Sequence, residues 1–407
     1  MWIVVAASLS QAGPPTLPAA DWPQFRGAAG DGVSAETGWS DRFGPDGPRV
    51  LWERRIGAGY ASVSIVDGRL YSAGWADGQT TVYCLDAETG DDRWTHRYPI
   101  ERHNTQHQGG PAGTPAVDGD RVYTLSREAQ LFCLHAGAGT VLWSKRLMEQ
   151  FGVQKPQFAF AGSPVVHGDT LFVDVGCIAA FDKRSGRILW QSKDYGPAYS
   201  TPVPFTVDER PLLAAFPQEG LVIFDRSTGQ ERAVHPWSNP YGNNAVVPVI
   251  EGRRLFISSG DNIGGVLLEL TGAGLEVAWE APTFRNKMAT SVLLDGHLYG
   301  FDVAVLKCID IRTGRSKWKQ RGLGRGSLMA ADGRLIILSE KGELVIAAAT
   351  AKSFVVHDRA EVLDAGDCWV VPVLAEGRIY CRSGDGRLVC IDMGKQRNAD
   401  PMRSAPP

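Results

Sequence analysis

Tryptophan recurs along this chain at a nearly constant interval, and this recurrence restricts the possible folds more than any other feature. The gaps between consecutive members are 42, 49, 47, 47, 42 and 39 residues for Trp52, Trp94, Trp143, Trp190, Trp237, Trp279 and Trp318. A period of about 40 to 50 residues is typical of propellers and related repeat folds, in which each unit buries the face of its neighbour. The repetition therefore indicates that the 407 residues form one large repeat domain.

Each repeat carries the same succession of turns and strands. From Thr114 to Trp143, and again from Val292 to Trp318, an Asp-Gly pair separates two apolar runs, and further runs lead to the tryptophan. Asp-Gly pairs supply the positive φ angles of tight hairpins, and no segment has a helical period of useful length. We therefore predict four short antiparallel strands per repeat, which is the composition of one propeller blade.

Counting the repeats predicts the size of the ring. Eight units open near Ala61, Gly113, Gly162, Ser200, Val246, Thr290, Ser327 and Val370. The last unit ends without an outer strand, whereas a strand-like run precedes the first unit. We predict an all-β, eight-bladed β-propeller of four-stranded antiparallel blades, in which Val50, Leu51 and Trp52 complete the last blade and hide its sheet edge. The tryptophans expected to dock one blade on the next are Trp52, Trp94, Trp143, Trp190, Trp279 and Trp318.

The ends of the chain and its charge narrow the cellular setting. Residues 1–20 resemble a short signal peptide and linker with a Ser10-x-Ala12 cleavage pattern, although no basic residue precedes the apolar stretch. We expect a periplasmic or secreted protein with a leader segment at 21–49, the propeller at 50–393 and a disordered tail at 394–407. The net charge of −3 and the lack of a long apolar run predict neither nucleic-acid binding nor a membrane span. A monomer is expected.

The seven cysteines form no metal-binding or haem-binding motif, and most recur inside strand-like runs, where small buried residues are expected. One pair is different. If Asp385-Gly386 forms a two-residue hairpin turn, Cys381 and Cys390 lie directly opposite each other, close enough for a disulfide bond. A turn of another length would place them on opposite faces of the sheet, so the pairing stays open.

The repeat motif resembles that of a known superfamily. The pattern Leu85-Asp86-x-x-Thr89-Gly90-x-x-x-Trp94 is similar to the tryptophan-docking repeat of quinoprotein alcohol dehydrogenases and of the outer-membrane β-barrel assembly factor B lipoproteins. The leader, 21–33, resembles that of secreted bacterial proteins with pyrroloquinoline-quinone-like (PQQ-like) repeats. The resemblance implies the eight-bladed ring. It implies no cofactor, because the adjacent cysteine pair and the calcium-binding carboxylates of the dehydrogenases have no counterpart that we can identify.

Polar residues cluster where a propeller would place a binding site. In this fold the loops between blades and the middle hairpin loops open on one face of the central channel, here called the funnel face. Convergent polar groups beside an aromatic side chain are typical of a ligand site. The predicted ligand-facing residues are His107, Gln157, Asn286, Lys287 and Trp369. Solvent exposure alone would also explain polar loops.

Two hypotheses on function follow. The first is a noncatalytic binding or scaffold propeller that recognises a protein, peptide or glycan through its funnel face. The alternative is a PQQ-dependent oxidoreductase, which would need PQQ with calcium. Enzymatic activity is left open, and no catalytic or metal-binding residue is predicted: His103 and His107 are four residues apart, but the Gly109-Gly110 context argues against a helix that would bring them together.

Overall fold

The computed structural model describes residues 21–101, 109–197, 199–364 and 366–394. These residues form 33 strands in eight sheets and one five-residue helix, α1 (Leu147–Phe151). The prediction of an all-β, eight-bladed propeller is confirmed. Within the described ranges, no helix has the length and apolar character needed to cross a membrane. The predicted signal peptide and all of the predicted tail except Gly394 lie outside the described residues.

Two strands precede the first blade in the sequence, β1 (Val33–Ser34) and β2 (Arg49–Arg55). Blades 1 to 4, each given from the channel outward, are β3 (Ser64–Val66), β4 (Arg69–Ala76), β5 (Gln79–Asp86), β6 (Asp92–Pro99); β7 (Ala116–Asp118), β8 (Arg121–Leu125), β9 (Gln130–His135), β10 (Val141–Arg146); β11 (Val165–His167), β12 (Thr170–Asp174), β13 (Cys177–Asp182), β14 (Ile188–Asp194); and β15 (Val203–Val207), β16 (Arg210–Ala215), β17 (Gly220–Asp225), β18 (Glu231–Pro236).

Blades 5 to 8 follow in the same order. They are β19 (Val249–Glu251), β20 (Arg254–Ser259), β21 (Gly264–Thr271), β22 (Gly274–Ala281); β23 (Val292–Leu294), β24 (His297–Asp302), β25 (Val305–Asp310), β26 (Ser316–Gln320); β27 (Ser327–Ala331), β28 (Arg334–Leu338), β29 (Glu343–Ala348), β30 (Val356–Glu361); and β31 (Val373–Ala375), β32 (Arg378–Arg382), β33 (Arg387–Asp392). Blade 8 thus contributes only three strands from its own part of the chain.

The N-terminal strand β2 closes the ring as predicted. It pairs antiparallel with β33, with Val50 opposite Ile391 and Trp52 opposite Cys390. The last blade therefore takes its outer strand from the start of the propeller, and no open edge remains on β33. The leader adds one strand that the sequence did not predict, because β1 pairs parallel with β27 on the channel side of blade 7.

The recurrent tryptophans lie against the following blade. Trp190 of blade 3 covers Gly229 of blade 4, and a Cβ atom at this glycine, whose φ is +72°, would lie 2.5 Å from the indole ring. The Trp190 indole also donates a hydrogen bond to the carbonyl oxygen of Arg226 at 2.9 Å. Trp52 makes the equivalent contacts with Gly90 and Ala87. The same close approach of an indole from the preceding blade occurs at Gly139, Gly186 and Gly314, so a Cβ atom at these glycines would clash with the docking tryptophan.

A belt of hydroxyl groups links the blades around the channel. At the start of blade 2, for example, Thr114 Oγ1 accepts a hydrogen bond from the backbone nitrogen of Ser62 in blade 1, and the Thr114 nitrogen donates to Ser163 Oγ in blade 3. Comparable bonds join seven of the eight neighbouring pairs of blades. Among the described residues, only the junction of blades 6 and 7 has no bond of this kind.

The leader spans the ring on the side opposite the funnel face. The backbone of Trp22 exchanges two hydrogen bonds with Ile65 of blade 1, at 2.8 Å each. The next residues bond to Val117 of blade 2 and Val166 of blade 3, and the chain then crosses the channel. Its later part bonds to blades 6, 7 and 8 through Arg26, Gly32 and Glu36. It therefore bridges the one junction that the hydroxyl belt leaves open.

The same segment fills the junction between blades 7 and 8, where the repeat has no docking tryptophan. Trp39 is 6% exposed and belongs to the apolar cluster that these two blades form with blade 1. Beside it, Asp41 accepts hydrogen bonds from Arg334 at 2.7 Å and from His357 at 2.8 Å, both on blade 7. A tryptophan from outside the repeat thus occupies a junction that the repeat itself leaves without one.

The cysteine pairing suggested by a two-residue Asp385-Gly386 turn is wrong. β32 ends at Arg382 and β33 begins at Arg387, so the loop between them has four residues, and Arg382 pairs with Leu388, which shifts the register by one residue. Cys381 then lies opposite Val389, and Cys390 lies opposite Tyr380, on the other face of the sheet. All seven cysteines are buried, and none is in a disulfide bond.

Candidate functional site

The funnel face opens into one large cavity, here called the cup. Its volume is about 830 Å³, within the range of roughly 300–1,000 Å³ that is usual for ligand sites. The walls are supplied by the segments that precede the innermost strands and by two middle hairpin loops. The lining residues used below are Phe25, Tyr60, Arg127, Gln157, Phe158, Tyr199, Tyr241, Asp261, Lys287, Met288 and Trp369.

The leader forms the floor of the cup. Phe25 lines the cavity, and the neighbouring Arg26 side chain is 3% exposed. Its guanidinium group donates to the carbonyl oxygens of Gly30, Asp31 and Ser291 at 3.2, 2.6 and 2.8 Å. Burial lowers the pKa of Arg26 to about 10. Because the leader crosses the channel here, the cup is closed at its inner end.

Aromatic side chains form most of the cup wall. Tyr60 and Trp369 stack with their ring centroids 5.6 Å apart and their planes at 16°. Phe158 and Tyr199 form a second pair, 6.1 Å apart and tilted by 55°. Tyr241 is 59% exposed, and Met288 is 37% exposed, so apolar surface continues to the mouth. Aromatic rings offer large contact areas, together with polar atoms at the tyrosine and tryptophan edges.

Three charged side chains line the cup among the described residues. Lys287 Nζ lies 2.7 Å from Asp261 Oδ1, so these two charges neutralise each other. Arg127 is 9% exposed and donates to the carbonyl oxygens of Gly110 at 2.5 Å and Phe158 at 2.8 Å. Burial lowers the pKa of Arg127 to about 10. The cup therefore has one positive charge that no carboxylate of the described part of the chain balances.

The structure brings three of the five predicted site residues together. Gln157, Lys287 and Trp369 line the cup. Asn286 is 1% exposed, and its amide binds the Phe301 carbonyl oxygen and the Ser291 hydroxyl group, so it lies behind the wall. His107 lies outside the described residues.

The sequence predicted only Trp369 of the aromatic wall, because the prediction of the site rested on polar residues in the loops. Tyr60 and Tyr199 each precede, by two positions, a hydroxyl residue that lies just before an innermost strand, Ser62 or Thr201. This aromatic-x-Ser/Thr spacing was present in the sequence and could have identified both side chains. Nothing in the repeat pattern indicated Phe25, because the leader is not part of a repeat.

Two buried aspartates, each the last residue of the second strand of its blade, have pKa values shifted in opposite directions. Asp302 in blade 6 receives hydrogen bonds from Lys307 and Arg285, both at 2.6 Å. Burial alone would raise the pKa of Asp302, but these two cations outweigh burial and lower it. Asp174 in blade 3 receives only the backbone nitrogen of Gly176, and its Oδ2 has no hydrogen-bond partner among the described residues. Burial raises the pKa of Asp174 to about 7.

Because of Asp174, the free energy of unfolding should decrease as the pH rises from about 4 to about 7. Its carboxyl group keeps a proton in the folded protein over this range but loses it when unfolded, so unfolding becomes easier as the pH rises. Asp174→Asn should therefore raise the free energy of unfolding, measured by denaturant titration, by a few kcal/mol at most at pH 8, because the pKa of about 7 falls to its ordinary value on unfolding; at pH 4 the change should be small. The control is Asp169→Asn, whose side chain is 93% exposed. Equal effects of Asp174→Asn at both pH values would contradict this account.

Comparison with known proteins identifies the superfamily. A family model described as outer membrane protein assembly factor BamB matches residues 100–320 and 302–399. Among solved structures, BamB from Moraxella catarrhalis superposes with a TM-score of 0.61 at 15% identity, over 84% of this chain and 97% of that one. The quinohemoprotein alcohol dehydrogenase from Comamonas testosteroni superposes with a TM-score of 0.68 at 14% identity, over 93% of this chain and 81% of that one. A europium-containing methanol dehydrogenase superposes with a TM-score of 0.67 at 13% identity, over 92% of this chain and 90% of that one.

At these identities the structural likeness establishes the fold alone, and no curated protein matches the sequence. The family match is more specific, because its two segments together cover well over half of the chain. The chain therefore belongs to the family of the outer membrane protein assembly factor BamB.

Proposed function

We propose that this protein is a noncatalytic binding propeller that holds part of a protein, peptide or glycan partner in the cup. The observation that carries the proposal is the composition of the cup: a closed inner end, a wall of five aromatic side chains, and one unbalanced positive charge among its described residues. Aromatic residues, Met and Arg are the types enriched at protein interfaces, whereas Lys and Asp are depleted.

The rigidity of the wall supports binding without a large conformational cost. The Trp369 indole donates to Glu340 Oε1 at 3.3 Å, and the Tyr199 hydroxyl group accepts a hydrogen bond from the Phe158 nitrogen at 3.3 Å. Side chains that are held in place before a ligand arrives lose less conformational entropy on binding. The cup is thus a preformed site.

The family description supports a setting outside the cytoplasm. It concerns a factor in outer membrane protein assembly, which agrees with the periplasmic or secreted location that the sequence predicts. Under our proposal the protein acts there as a monomer, and its partner is a polypeptide or glycan that reaches the funnel face.

A PQQ-dependent oxidoreductase is the second candidate, and the likeness to the quinohemoprotein alcohol dehydrogenase favours it. The residues present do not fit PQQ with calcium. Calcium takes about six to eight oxygen ligands, usually with several carboxylates, whereas Asp261 is the only carboxylate among the described cup residues and is paired with Lys287. No group of three or more His, Cys, Asp or Glu side chains in the described part of the chain could hold a metal ion.

Titration with PQQ and calcium chloride separates the two candidates. For the binding propeller we expect the absorption spectrum of PQQ to stay unchanged and alcohol to cause no reduction of an electron-accepting dye. A saturable spectral shift together with alcohol-dependent dye reduction, both lost in Trp369→Ala, would instead assign the protein to the oxidoreductases. Trp318→Ala, a substitution at a half-buried docking tryptophan outside the cup, is the matched control.

A further inference from the structure

Arg127 differs from the other two deeply buried arginines in how its donors are used. Arg26 and Arg382 each donate four hydrogen bonds to surrounding oxygen atoms. Arg127 donates two; its Nε has no partner among the described residues, which is also true of the Nε of Arg382. Arginine has five N–H donors in a planar fork that matches a carboxylate. Arg127 is also the one of the three that lines the cup.

Arg127 binds two carbonyl oxygens, and aromatic residues lie beside it. Phe158, whose carbonyl oxygen it binds, carries one of the wall rings, and Tyr60 is close enough to influence the Arg127 charge. The carboxylate of Glu128, the next residue in the chain, forms an ion pair with Lys155, with 3.4 Å between Oε1 and Nζ. A buried cation without a balancing anion is costly, and an anion that enters with an apolar group beside it would offset that cost.

The closed floor restricts how a polymer can enter. Phe25 and the leader block the inner end of the channel, so a chain cannot pass through and must enter by an end or a tight loop. The exposed apolar surface of Tyr241 and Met288 at the mouth would contact the part of the ligand that remains outside. Of the two ends of a polypeptide, the C-terminus brings a carboxylate to Arg127, whereas the N-terminus brings a second cation.

From this combination, and building on the proposed binding function, we propose that the cup binds the free C-terminus of a polypeptide with an apolar last residue. The terminal carboxylate pairs with Arg127. The last side chain lies between the Tyr60–Trp369 and Phe158–Tyr199 pairs.

The test uses two synthetic hexapeptides that differ only at the terminal group. Each carries fluorescein on its N-terminus and the sequence Gly-Ser-Gly-Ser-Leu-Phe; one ends in a free carboxylate and the other in an amide. Fluorescence polarisation with the full-length protein should give at least about tenfold tighter binding of the free acid, as expected for a charge-assisted hydrogen bond. Equal affinities would overturn the proposal without any variant being needed.

Variants then assign the preference to Arg127. Arg127→Gln should bring the acid to the affinity of the amide. Lys155→Gln is the control, because it also removes one positive charge, from a partly exposed lysine that pairs with Glu128. This variant should retain the preference for the free acid. If Arg127→Gln keeps the preference while folding normally, as judged by its melting curve, Arg127 does not hold the carboxylate and the proposal fails.

Two further arms separate the source of the carboxylate and the class of ligand. N-acetylphenylalanine should compete at least about tenfold more weakly than the hexapeptide, because it lacks the residues that contact the mouth; equal competition would mean a small carboxylic acid instead of a chain end. A glycan that binds the cup while neither peptide does would overturn the C-terminus proposal but leave the proposed binding function intact. Peptide binding elsewhere than in the cup would contradict both.

Discussion

A chain that begins at Ile56 is expected to lose the cooperative unfolding of the intact protein. The truncation removes β2, which pairs with β33, and the leader, which bonds to six of the eight blades. Trp22, Trp39 and Trp52 are lost with it, each at most 8% exposed. Deletion of one large buried aromatic side chain costs about 3–5 kcal/mol, so three together approach the total stability of roughly 5–15 kcal/mol typical of a domain.

Thermal unfolding and size-exclusion chromatography measure this effect. A chain that begins at Asp21 is the control, since it keeps every contact described above and should melt like the full chain. A chain that begins at Phe43 separates the two roles: it keeps β2, so the ring should close and fold at a lower midpoint with its channel open. If the chain starting at Ile56 melts with the same midpoint as the control, the N-terminal closure has no energetic role.

The repeat made the ring predictable. Tryptophan spacing, the Asp-Gly turns and the missing outer strand of blade 8 are local patterns, and they identified eight blades and the pairing of Val50 and Trp52 with β33. Asp67-Gly68, Asp295-Gly296 and Asp332-Gly333 have positive φ at both residues, as their hairpins require. These features depend on residues close in sequence or repeated at a fixed period.

The register error at Asp385-Gly386 shows where such patterns are insufficient. The same dipeptide that forms a two-residue turn elsewhere lies here in a four-residue loop between β32 and β33. Ser383 stabilises that loop by accepting a hydrogen bond from the Arg387 nitrogen and donating to Asp385. These local side-chain bonds stabilise a loop longer than the two-residue turn. The predicted pairing of Cys381 with Cys390 required the two-residue turn.

The candidate site was only partly predictable because its parts are far apart in the chain. Gln157, Lys287 and Trp369 were recognised from the position of their loops, but Phe25 reaches the cup from a leader that has no repeat to interpret. The Arg26 side chain donates a hydrogen bond to the carbonyl oxygen of Ser291, which lies 265 residues further along the chain. No period or motif records such a contact, and so the closed floor, on which the choice of ligand depends, emerged only from the structure.

Blocking the mouth of the cup is expected to abolish ligand binding. All seven native cysteines are buried, so a cysteine introduced at the surface can be alkylated selectively under native conditions. Tyr241→Cys places it at the mouth, where the native side chain is 59% exposed. Ser227→Cys is the control: Ser227 is exposed in the turn between β17 and β18, on the face opposite the cup.

The decisive measurement is binding before and after a bulky maleimide is attached to each variant. The ligands are taken from a library of random hexapeptides with free ends and from a glycan array, selected on the intact protein. If the cup is the binding site, the label at Cys in place of Tyr241 should weaken binding by about a hundredfold or more, equivalent to roughly 2.7 kcal/mol, whereas the label in place of Ser227 should leave it unchanged. Selected ligands that bind equally well with the mouth blocked would contradict the account.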